Sequence, residues 1–277
     1  MSTIQAIVMA ILQGATELFP VSSLGHAVML PAVLRWRLDQ NAPEFLPFLV
    51  LLHLGTAAAL LAYFWRDWWR LALGVLGLAD ADQTAASRRA FGLIVVATIP
   101  AVILGFALEK FFRSLFGSPL TAAAFLVLNG ALLLFGERIR TSGHRPLSAL
   151  TVKDALIIGC WQCAALIPGI SRSGVTIVGG LTRGVDHEGS AHFSFLIATP
   201  IILGATVVEV PKLLHSAVAP GVFALAAFAA VLSGITAWLS TWFLMRYFRR
   251  HDEWALNPFG YYCIVVGVAV LGTLALT

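Results

Sequence analysis

A short polar run, residues 168–176, places Arg172 between two apolar stretches. A guanidinium near the centre of a bilayer costs at least ~2.5–3.5 kcal/mol on insertion scales, so it is normally retained where it faces a cavity and meets an anion. Pro168, Gly169 and Gly174 interrupt the run, and non-helical backbone at membrane depth survives only inside protein or along a wet cavity. The run therefore predicts an anion-binding loop.

We expect this loop to lead into a helix that begins at Ser173 or Gly174. The free N–H groups of a helix N-terminus, nearby hydroxyls and a guanidinium together bind phosphate. The candidate phosphate ligands of the run are Ser171, Arg172, Ser173, Gly174 and Thr176. A simpler interpretation is a proline and glycine kink in an ordinary spanning helix, with Arg172 paired to a carboxylate.

A second polar run, residues 13–26, contains acid-base and nucleophilic groups. Gln13 and Glu17 lie four residues apart and share one face of a short helix. The turn that follows contains Ser22, Ser23 and His26. A serine becomes a nucleophile only when a neighbouring base removes its proton, and Glu17 and His26 are the bases within reach. Glu17 itself needs a partner, for which Arg172, a divalent cation or a hydroxyl proton would serve.

Polar side chains also hold membrane helices together, so each of these residues has an ordinary alternative role. Together they supply a base, a nucleophile and an anion clamp, which are the parts needed for phosphoryl transfer.

The composition is that of an integral membrane protein. Of the 277 residues, 59% are hydrophobic and 12% are charged, whereas soluble domains have ~25% charged residues. The net charge of +4 does not indicate nucleic-acid binding, because the basic residues lie at the ends of apolar runs. No cleavable signal peptide is predicted, since the N-terminus lacks a basic region.

Six apolar segments are long enough to cross ~30 Å of hydrocarbon. They are residues 45–65, 91–108, 120–136, 190–210, 222–245 and 259–276. Shorter apolar pieces flank each polar run, 4–19 with 27–34 and 155–167 with 175–181. Each pair predicts a re-entrant hairpin whose polar tip is enclosed by protein. The predicted fold class is an all-α polytopic membrane protein with six transmembrane helices and two re-entrant helical hairpins.

The hairpins begin the two halves of a repeat, about residues 1–136 and 150–277 of a single membrane domain. The corresponding positions are Gln13 with Gln162, Pro20 with Pro168, and Ser23 with Ser171. Three spans follow each hairpin, so the second half must enter from the opposite face, as in the inverted-topology repeats of transporters. The two tips can then meet near the midplane and form one site.

The basic residues predict the orientation. Eleven Lys and Arg residues flank the spans on one face and five on the other. The richer set is Arg66, Arg70, Arg88, Arg89, Arg138, Arg140, Arg145, Lys153, Arg246, Arg249 and Arg250, and the poorer set is Arg35, Arg37, Lys110, Arg113 and Lys212. The positive-inside rule puts the richer face in the cytoplasm and both termini outside.

The runs QGATELFPVSSLGH (13–26) and PGISRSGVT (168–176) closely resemble the two signature motifs of the bacterial undecaprenyl-diphosphate phosphatase family, also called bacitracin-resistance proteins. The likeness covers nearly the whole chain, including the stretches 64–66 and 192–200. It implies an enzyme that hydrolyses undecaprenyl diphosphate to the monophosphate and phosphate, recycling the lipid carrier for peptidoglycan and other cell-wall glycans. It also implies the bacterial inner (plasma) membrane, an active site facing the periplasm or outside, and Mg²⁺ or Ca²⁺ as cofactor.

The resemblance also implies roles for individual residues. The catalytic set is Glu17, Ser23, His26, Ser171 and Arg172, and the phosphate-binding set is Ser22, Ser173, Gly174 and Thr176. Glu17 matches the family's essential glutamate and Ser23 its favoured nucleophile. Gln13 stands where many members have glutamate, so a metal site of Gln13 and Glu17 would lack a second carboxylate.

In the working mechanism, Glu17 or His26 deprotonates Ser23, which attacks the terminal phosphorus, and water then clears a phosphoserine. Attack by His26 or by a metal-bound water stays open. The alternative function is a secondary transporter or polyprenyl-phosphate flippase, because broken segments in inverted repeats are typical of transporters. A purely structural role would not explain why Glu17, His26 and Arg172 are present in these segments.

Other polar residues and the lipid chain raise further expectations. For His53 and Asn129, within the first and third spans, interhelical hydrogen bonding is favoured over substrate contact. A long prenyl chain needs a lipid-facing slot between helices, and the small residues able to open one are Gly179, Gly180, Gly204 and Ala205. The expected partners are a polyprenyl diphosphate and the bilayer, without nucleic acid, and a homodimer is compatible with the sequence.

Overall fold

The computed structural model describes residues 2–36, 45–115, 117–141, 145–215 and 220–276. The first half contains α1 (Thr3–Leu18), α2 (Ser23–Val33), α3 (Phe45–Tyr63), α4 (Trp65–Val75), α5 (Ala81–Ala107), α6 (Glu109–Leu115) and α7 (Pro119–Ile139). The second half contains α8 (Val152–Cys163), α9 (Arg172–Leu181), α10 (His187–His215), α11 (Pro220–Arg250) and α12 (Asn257–Ala275). Within the described ranges there is no β-strand, which confirms the all-α class.

Among the described residues, five helices are long and apolar enough to cross a membrane, and α3 with α4 forms a sixth crossing with a bend of 77°. The prediction of an all-α polytopic membrane protein is thereby confirmed, with five or six candidate crossings among the described residues. The polar segment 79–89 lies between two predicted spans, where a polar sequence predicts a loop, but most of it is the start of α5. The Asp80 side chain accepts the Gln83 N–H at 2.8 Å, and such a cap starts a helix in a stretch that hydropathy alone interprets as a loop.

The structure does not describe all of the basic residues that predict the orientation in the membrane. Arg37 lies outside the described residues, as do the side chains of Arg113 and Lys212.

Glycines let the spans approach closely. A Cβ on Gly14 of α1 would overlap the Ser233 carbonyl oxygen of α11, and a Cβ on Gly130 of α7 would overlap the Gly260 carbonyl oxygen of α12. Small residues at such contacts allow the tight packing by which membrane helices associate without a hydrophobic driving force. Helix α1 of the first half is therefore packed against α11 of the second.

The two hairpins enter the bundle from opposite ends. Ala6 and Met9 of α1 share an apolar cluster with Phe45 at the start of α3. The base of the second hairpin instead lies beside the end of α7, because Thr141 donates its backbone N–H to the Leu181 carbonyl oxygen. With α3 and α4 counted as one bent crossing, three crossings separate the start of α3 from the end of α7, which puts the two bases on opposite sides. An inverted repeat requires this arrangement, although the repeat relation itself stays a prediction.

Asp154 anchors the base of the second hairpin. It forms a capping box with Thr151 and ion pairs with Arg145 at 2.9 Å and Arg183 at 2.6 Å. Burial raises the pKa of the Asp154 carboxyl, but the hydrogen bonds from Thr151 and the two arginines outweigh burial and hold the pKa well below its usual range. Asp154 thus stays ionised and ties the start of α8 to the end of α9.

Asn129 of α7 joins the two hairpin tips. Its Nδ2 donates to the Pro20 carbonyl oxygen at 3.0 Å, and its Oδ1 accepts the Ser171 backbone N–H at 2.9 Å. The side chain is completely buried. The expected interhelical hydrogen bond is present, because Nδ2 also lies 3.4 Å from Cys263 Sγ of α12. The two backbone contacts to the tips are additional.

We expect Asn129→Ala to destabilise the protein, because Pro20 O and Ser171 N–H would lose their partner inside the bundle. An unsatisfied buried group costs about 1–3 kcal/mol, and for a chain of this size each kcal/mol lowers the unfolding temperature by ~2–4 °C. The measurement is thermal unfolding in detergent. Thr98→Ala is the control, since among the described residues that hydroxyl bonds only to Ile94 O within α5. Equal unfolding temperatures for the two variants would contradict the bridging role.

Candidate active site

A cavity of ≈ 230 Å³ lies where the two hairpin tips meet. Its polar lining residues are Glu17, Ser22, Ser23, His53, Ser171 and Arg172. The rest of the wall is apolar and includes Val50 and Ile170, and Ile201 and Ala205 of α10. The two polar runs of the sequence, separated by about half the chain, therefore contribute to one cavity.

The carboxylate of Glu17 is the centre of this site. Its Oε1 accepts from Arg172 Nη2 at 3.2 Å. Its Oε2 accepts from Ser23 Oγ at 2.5 Å and from Gln13 Nε2 at 3.0 Å. His53 Nε2 is 3.4 Å from the same Oε2. Glu17 is only 8% exposed, and these four partners compensate for the loss of water around its charge.

Ser22 shapes the first tip. Its φ is +67°, which is uncommon for a residue with a side chain and concentrates at functional sites. Its hydroxyl accepts the Gly25 N–H at 3.2 Å, so α2 begins at Ser23. Its carbonyl oxygen accepts from His26 Nδ1 at 2.7 Å. These bonds hold the unusual backbone and direct the first turn of α2 at the cavity.

His26 lies behind the first tip and is 7% exposed. Because Nδ1 donates to the Ser22 carbonyl oxygen, Nε2 is left to accept from the Tyr262 hydroxyl at 2.9 Å. Both ring nitrogens are therefore engaged, while the Ser23 hydroxyl donates to Glu17. Of the two bases considered from the sequence, the geometry favours Glu17 as the partner of the Ser23 hydroxyl, because His26 contacts Ser22 instead.

The second tip presents another helix N-terminus. Helix α9 begins at Arg172, slightly earlier than expected, because the Ser171 hydroxyl caps it by accepting the Gly174 N–H at 3.2 Å. Gly169 has a φ of +100°, and a Cβ there would overlap the Ala122 carbonyl oxygen. The first turns of α2 and α9 both border the cavity, where the partial positive charge of each helix end attracts an anion.

Three residues that were expected to bind phosphate lie behind the cavity wall, namely Ser173, Gly174 and Thr176, all buried. The Ser173 hydroxyl donates to the Phe19 carbonyl oxygen at 3.0 Å. The Thr176 hydroxyl donates to the Arg172 carbonyl oxygen at 2.7 Å and contacts the Ser194 hydroxyl at 2.6 Å. These residues hold the second tip against the first and against α10, and their direct contact with phosphate stays a prediction.

Arg172 pairs with a carboxylate, as the simpler interpretation required, but it does not lie in a kinked span. Arg183, just after α9, contacts Asp154 in the first turn of α8, so the chain turns back on itself. The Arg172 guanidinium also donates to the Ser194 carbonyl oxygen at 3.2 Å. The interpretation of residues 155–181 as one kinked helix is therefore wrong.

His53 is a site residue whose contact the sequence did not identify. Its Nδ1 donates to the Leu49 carbonyl oxygen at 2.8 Å, so its Nε2 is the atom that faces Glu17. A protonated imidazole at this position would pair with the Glu17 carboxylate across the 3.4 Å between Nε2 and Oε2. An ionisable side chain in an apolar span is the signal that could have identified His53.

The side-chain oxygens of Gln13 and Glu17 are of the type that binds a hard cation weakly. The Gln13 Oε1 is buried and has no hydrogen-bond partner within the described part of the chain. Among the same residues, no group of three or more His, Cys, Asp or Glu side chains has a metal-binding arrangement. Mg²⁺ and Ca²⁺ prefer oxygen ligands, so an amide oxygen and one carboxylate would need phosphate oxygens to complete a coordination shell.

The chain is similar to known proteins over nearly its full length. The family model described as "Bacitracin resistance protein BacA" matches residues 6–269. A Granulibacter bethesdensis protein named "Undecaprenyl-diphosphatase" is 67% identical over 99% of this chain and 97% of the relative. An Acidiphilium cryptum protein of the same name is 56% identical, and a Chromobacterium violaceum protein named "Undecaprenyl-diphosphatase 2" is 48% identical, each over 98% of both chains. The likeness includes both hairpins.

Proposed function

Because this chain belongs to the bacitracin resistance protein BacA family, we infer that it is an integral membrane phosphatase that hydrolyses undecaprenyl diphosphate to undecaprenyl phosphate and orthophosphate. This reaction recycles the lipid carrier of peptidoglycan and other cell-wall glycans and gives bacitracin resistance. The observation that carries the proposal is a serine hydroxyl donating to a carboxylate at 2.5 Å, beside a guanidinium in the same cavity. The relatives named as diphosphatases favour this function over a transporter or flippase.

The first step is binding of the diphosphate. Arg172 and the N-terminal turns of α2 and α9 neutralise its charge, and a guanidinium has five N–H donors, of which few are needed for Glu17 and Ser194. The Ser22 and Ser171 hydroxyls line the same cavity and can donate to phosphate oxygens. This binding brings the terminal phosphorus to Ser23.

The second step is attack by the Ser23 oxygen on the terminal phosphorus. Glu17 accepts the serine proton along the existing hydrogen bond, and His53 faces the same carboxylate oxygen. The bond between this phosphorus and the bridging oxygen breaks, and undecaprenyl phosphate leaves as an anion. Water then attacks the phosphoserine, orthophosphate leaves, and Glu17 returns the proton to Ser23.

A divalent cation, Mg²⁺ or Ca²⁺, belongs to the same proposal. Gln13 Oε1 and Glu17 would hold it together with phosphate oxygens, and when bound it would supply further positive charge for the developing oxyanions. The unpartnered, buried Oε1 of Gln13 supports this assignment, which requires the amide to rotate so that Oε1 rather than Nε2 faces Glu17. We also propose a position behind the tip for His26, where it supports Ser22 rather than attacking phosphorus.

The proposal includes a location. The protein would lie in the bacterial inner (plasma) membrane with the cavity accessible from the outside or periplasm. The excess of basic residues on one face supports this orientation. Its partners would be the lipid substrate and the bilayer, and a homodimer of this single domain is compatible with the exposed apolar faces.

Ser23→Ala is expected to reduce phosphate release by at least ~10²-fold, because the nucleophile is lost and only binding and charge stabilisation remain. The measurement is orthophosphate release from a prenyl diphosphate with Mg²⁺ in detergent. Ser87→Ala is the matched control, since Ser87 is also buried and lies in α5 away from the cavity. A normal rate for purified Ser23→Ala would remove Ser23 as the nucleophile.

His53→Leu is expected to lower kcat by about 10- to 100-fold with a smaller change in KM, since a residue that orients a catalytic group acts mainly on the chemical step. The control is His192→Leu. His192 also has its Nε2 on a carboxylate, Asp67, at 3.1 Å, but lies outside the cavity and should retain activity within about twofold. Equal losses in both variants would show that His53 has no special relation to the reaction.

The cation assignment has a separate test. EDTA should abolish phosphate release, and Gln13→Leu should raise the Mg²⁺ or Ca²⁺ concentration needed for the half-maximal rate by about tenfold, because one oxygen ligand is lost. The readout is the rate as a function of added cation. Full activity in EDTA would contradict the proposal that the reaction needs a divalent cation. An unchanged half-maximal cation concentration in Gln13→Leu would contradict the assignment of Gln13 as a ligand of that cation.

A further inference from the structure

Helix α12 contacts the first hairpin tip through two neighbouring residues. The Cys263 side chain is completely buried, and its Sγ lies 3.9 Å from the Pro20 carbonyl oxygen. The Tyr262 hydroxyl lies 2.9 Å from His26 Nε2. The last helix of the second half therefore contacts the tip of the first half, and Tyr262 bonds there to a candidate catalytic side chain.

The contacts of His26 specify which of its ring nitrogens carries the proton. A carbonyl oxygen can only accept, so Nδ1, at 2.7 Å from the Ser22 carbonyl oxygen, must donate. In a neutral ring the other nitrogen, Nε2, then has a lone pair that needs a donor, because His26 is only 7% exposed. The Tyr262 hydroxyl is that donor. The two contacts thus select one tautomer of the imidazole.

Tyr262 also fixes the plane of the imidazole. The His26 and Tyr262 rings are stacked, with centroids 5.7 Å apart and an angle of 12° between their planes. The hydrogen bond at one nitrogen of a histidine sets the tautomer and the orientation in which the other nitrogen acts. Loss of the hydroxyl would leave Nε2 without its donor inside the protein. A proton that moved to Nε2 would leave two acceptors, Nδ1 and the Ser22 carbonyl oxygen, facing each other.

His26 in turn holds the peptide unit that carries Ser23. The Ser22 carbonyl oxygen and the Ser23 N–H belong to one planar peptide unit. This oxygen accepts both the backbone N–H of His26, at 3.2 Å, and its Nδ1–H. Ser22 has a φ of +67°, a conformation that its surroundings must hold. Rotation of the peptide unit would turn the Cα–Cβ bond of Ser23, whose hydroxyl lies 2.5 Å from Glu17 Oε2. The direction of the Ser23 hydroxyl therefore depends on His26.

We propose that Tyr262 is a positioning residue for the phosphatase reaction, because it holds His26 in the tautomer that fixes the peptide unit between Ser22 and Ser23. The inference rests on the proposed function and adds a residue of the last helix to the groups that direct the Ser23 oxygen at phosphorus. Tyr262 does not line the cavity at the hairpin tips, so it acts through His26. A misdirected nucleophile slows the chemical step more than it weakens substrate binding.

The test is Tyr262→Phe, which removes the hydroxyl and keeps the ring. We expect kcat for phosphate release from a prenyl diphosphate to fall about tenfold, with KM within about twofold of its original value. The matched control is Tyr261→Phe, because Tyr261 is the neighbouring tyrosine of α12 and is 58% exposed. The control should retain kcat within about twofold. An unchanged kcat in Tyr262→Phe, or an equal loss in the control, would overturn the proposal.

The tautomer is read separately by NMR of the isotope-labelled imidazole nitrogens in detergent, with the His26 signals assigned by their absence in His26→Gln. In the unsubstituted protein Nδ1 should be protonated and Nε2 unprotonated. In Tyr262→Phe the signals should move towards the opposite tautomer or a mixture of the two, which a merely structural role of the tyrosine would not cause. Unchanged signals in the variant would overturn the route through His26, whatever the loss of kcat.

A double variant separates the route through His26 from a direct effect of Tyr262. In a His26→Gln background, Tyr262→Phe should lower kcat by less than about twofold, because residues that act as one unit are not additive. Losses that multiply as independent effects would overturn the proposal. Failure of the proposed function gives a different result, because the unsubstituted protein would then release no phosphate, while the NMR signals would still report whether Tyr262 sets the tautomer of His26.

Discussion

The ion pair between Glu17 and Arg172 is the interaction on which the rest of the molecule depends. A lone carboxylate or guanidinium at membrane depth is expensive, and removing one partner from a buried pair leaves an uncompensated charge. Each hairpin carries one of the two charges, so neither tip has a satisfactory environment without the other. The 3.2 Å contact thus explains why two segments from opposite ends of the bundle meet, and why they meet at a polar cavity.

Close contact of the two tips requires glycine, which has no side chain, where their backbones meet. A Cβ on Gly25 of the first tip would lie 3.0 Å from the Gly169 Cα of the second, and Asn129 satisfies one backbone group of each. The positive φ of Ser22 is tolerated because its hydroxyl and its carbonyl oxygen are both hydrogen-bonded within the tip. Strain at a functional site persists only when its surroundings fix it, and here the opposing tip helps to fix it.

The sequence predicts the hairpins and the central pair because the cost of a charge or a glycine-broken backbone in hydrocarbon is a local property. It does not identify the partner of His53, since that depends on which face of α3 packs beside α1. For the same reason, the sequence does not show that Ser173 bonds to Phe19 of the first tip or that Thr176 contacts Ser194 of α10. Helix ends are missed where a single side chain decides them, as Asp80 does for α5 and Ser171 does for α9.

The guanidinium that holds the tips together also remains available to an anion. Its contacts to Glu17 and to the Ser194 carbonyl oxygen use Nη2 and Nη1, and its planar fork has further N–H donors. Arg172 lines the cavity and retains 13% exposure of its side chain. A diphosphate bound as we propose would therefore leave the ion pair intact, and the Ser23 hydroxyl would keep its carboxylate acceptor. The Glu17–Arg172 ion pair, which stabilises the fold, is therefore compatible with the negative charge of a bound diphosphate.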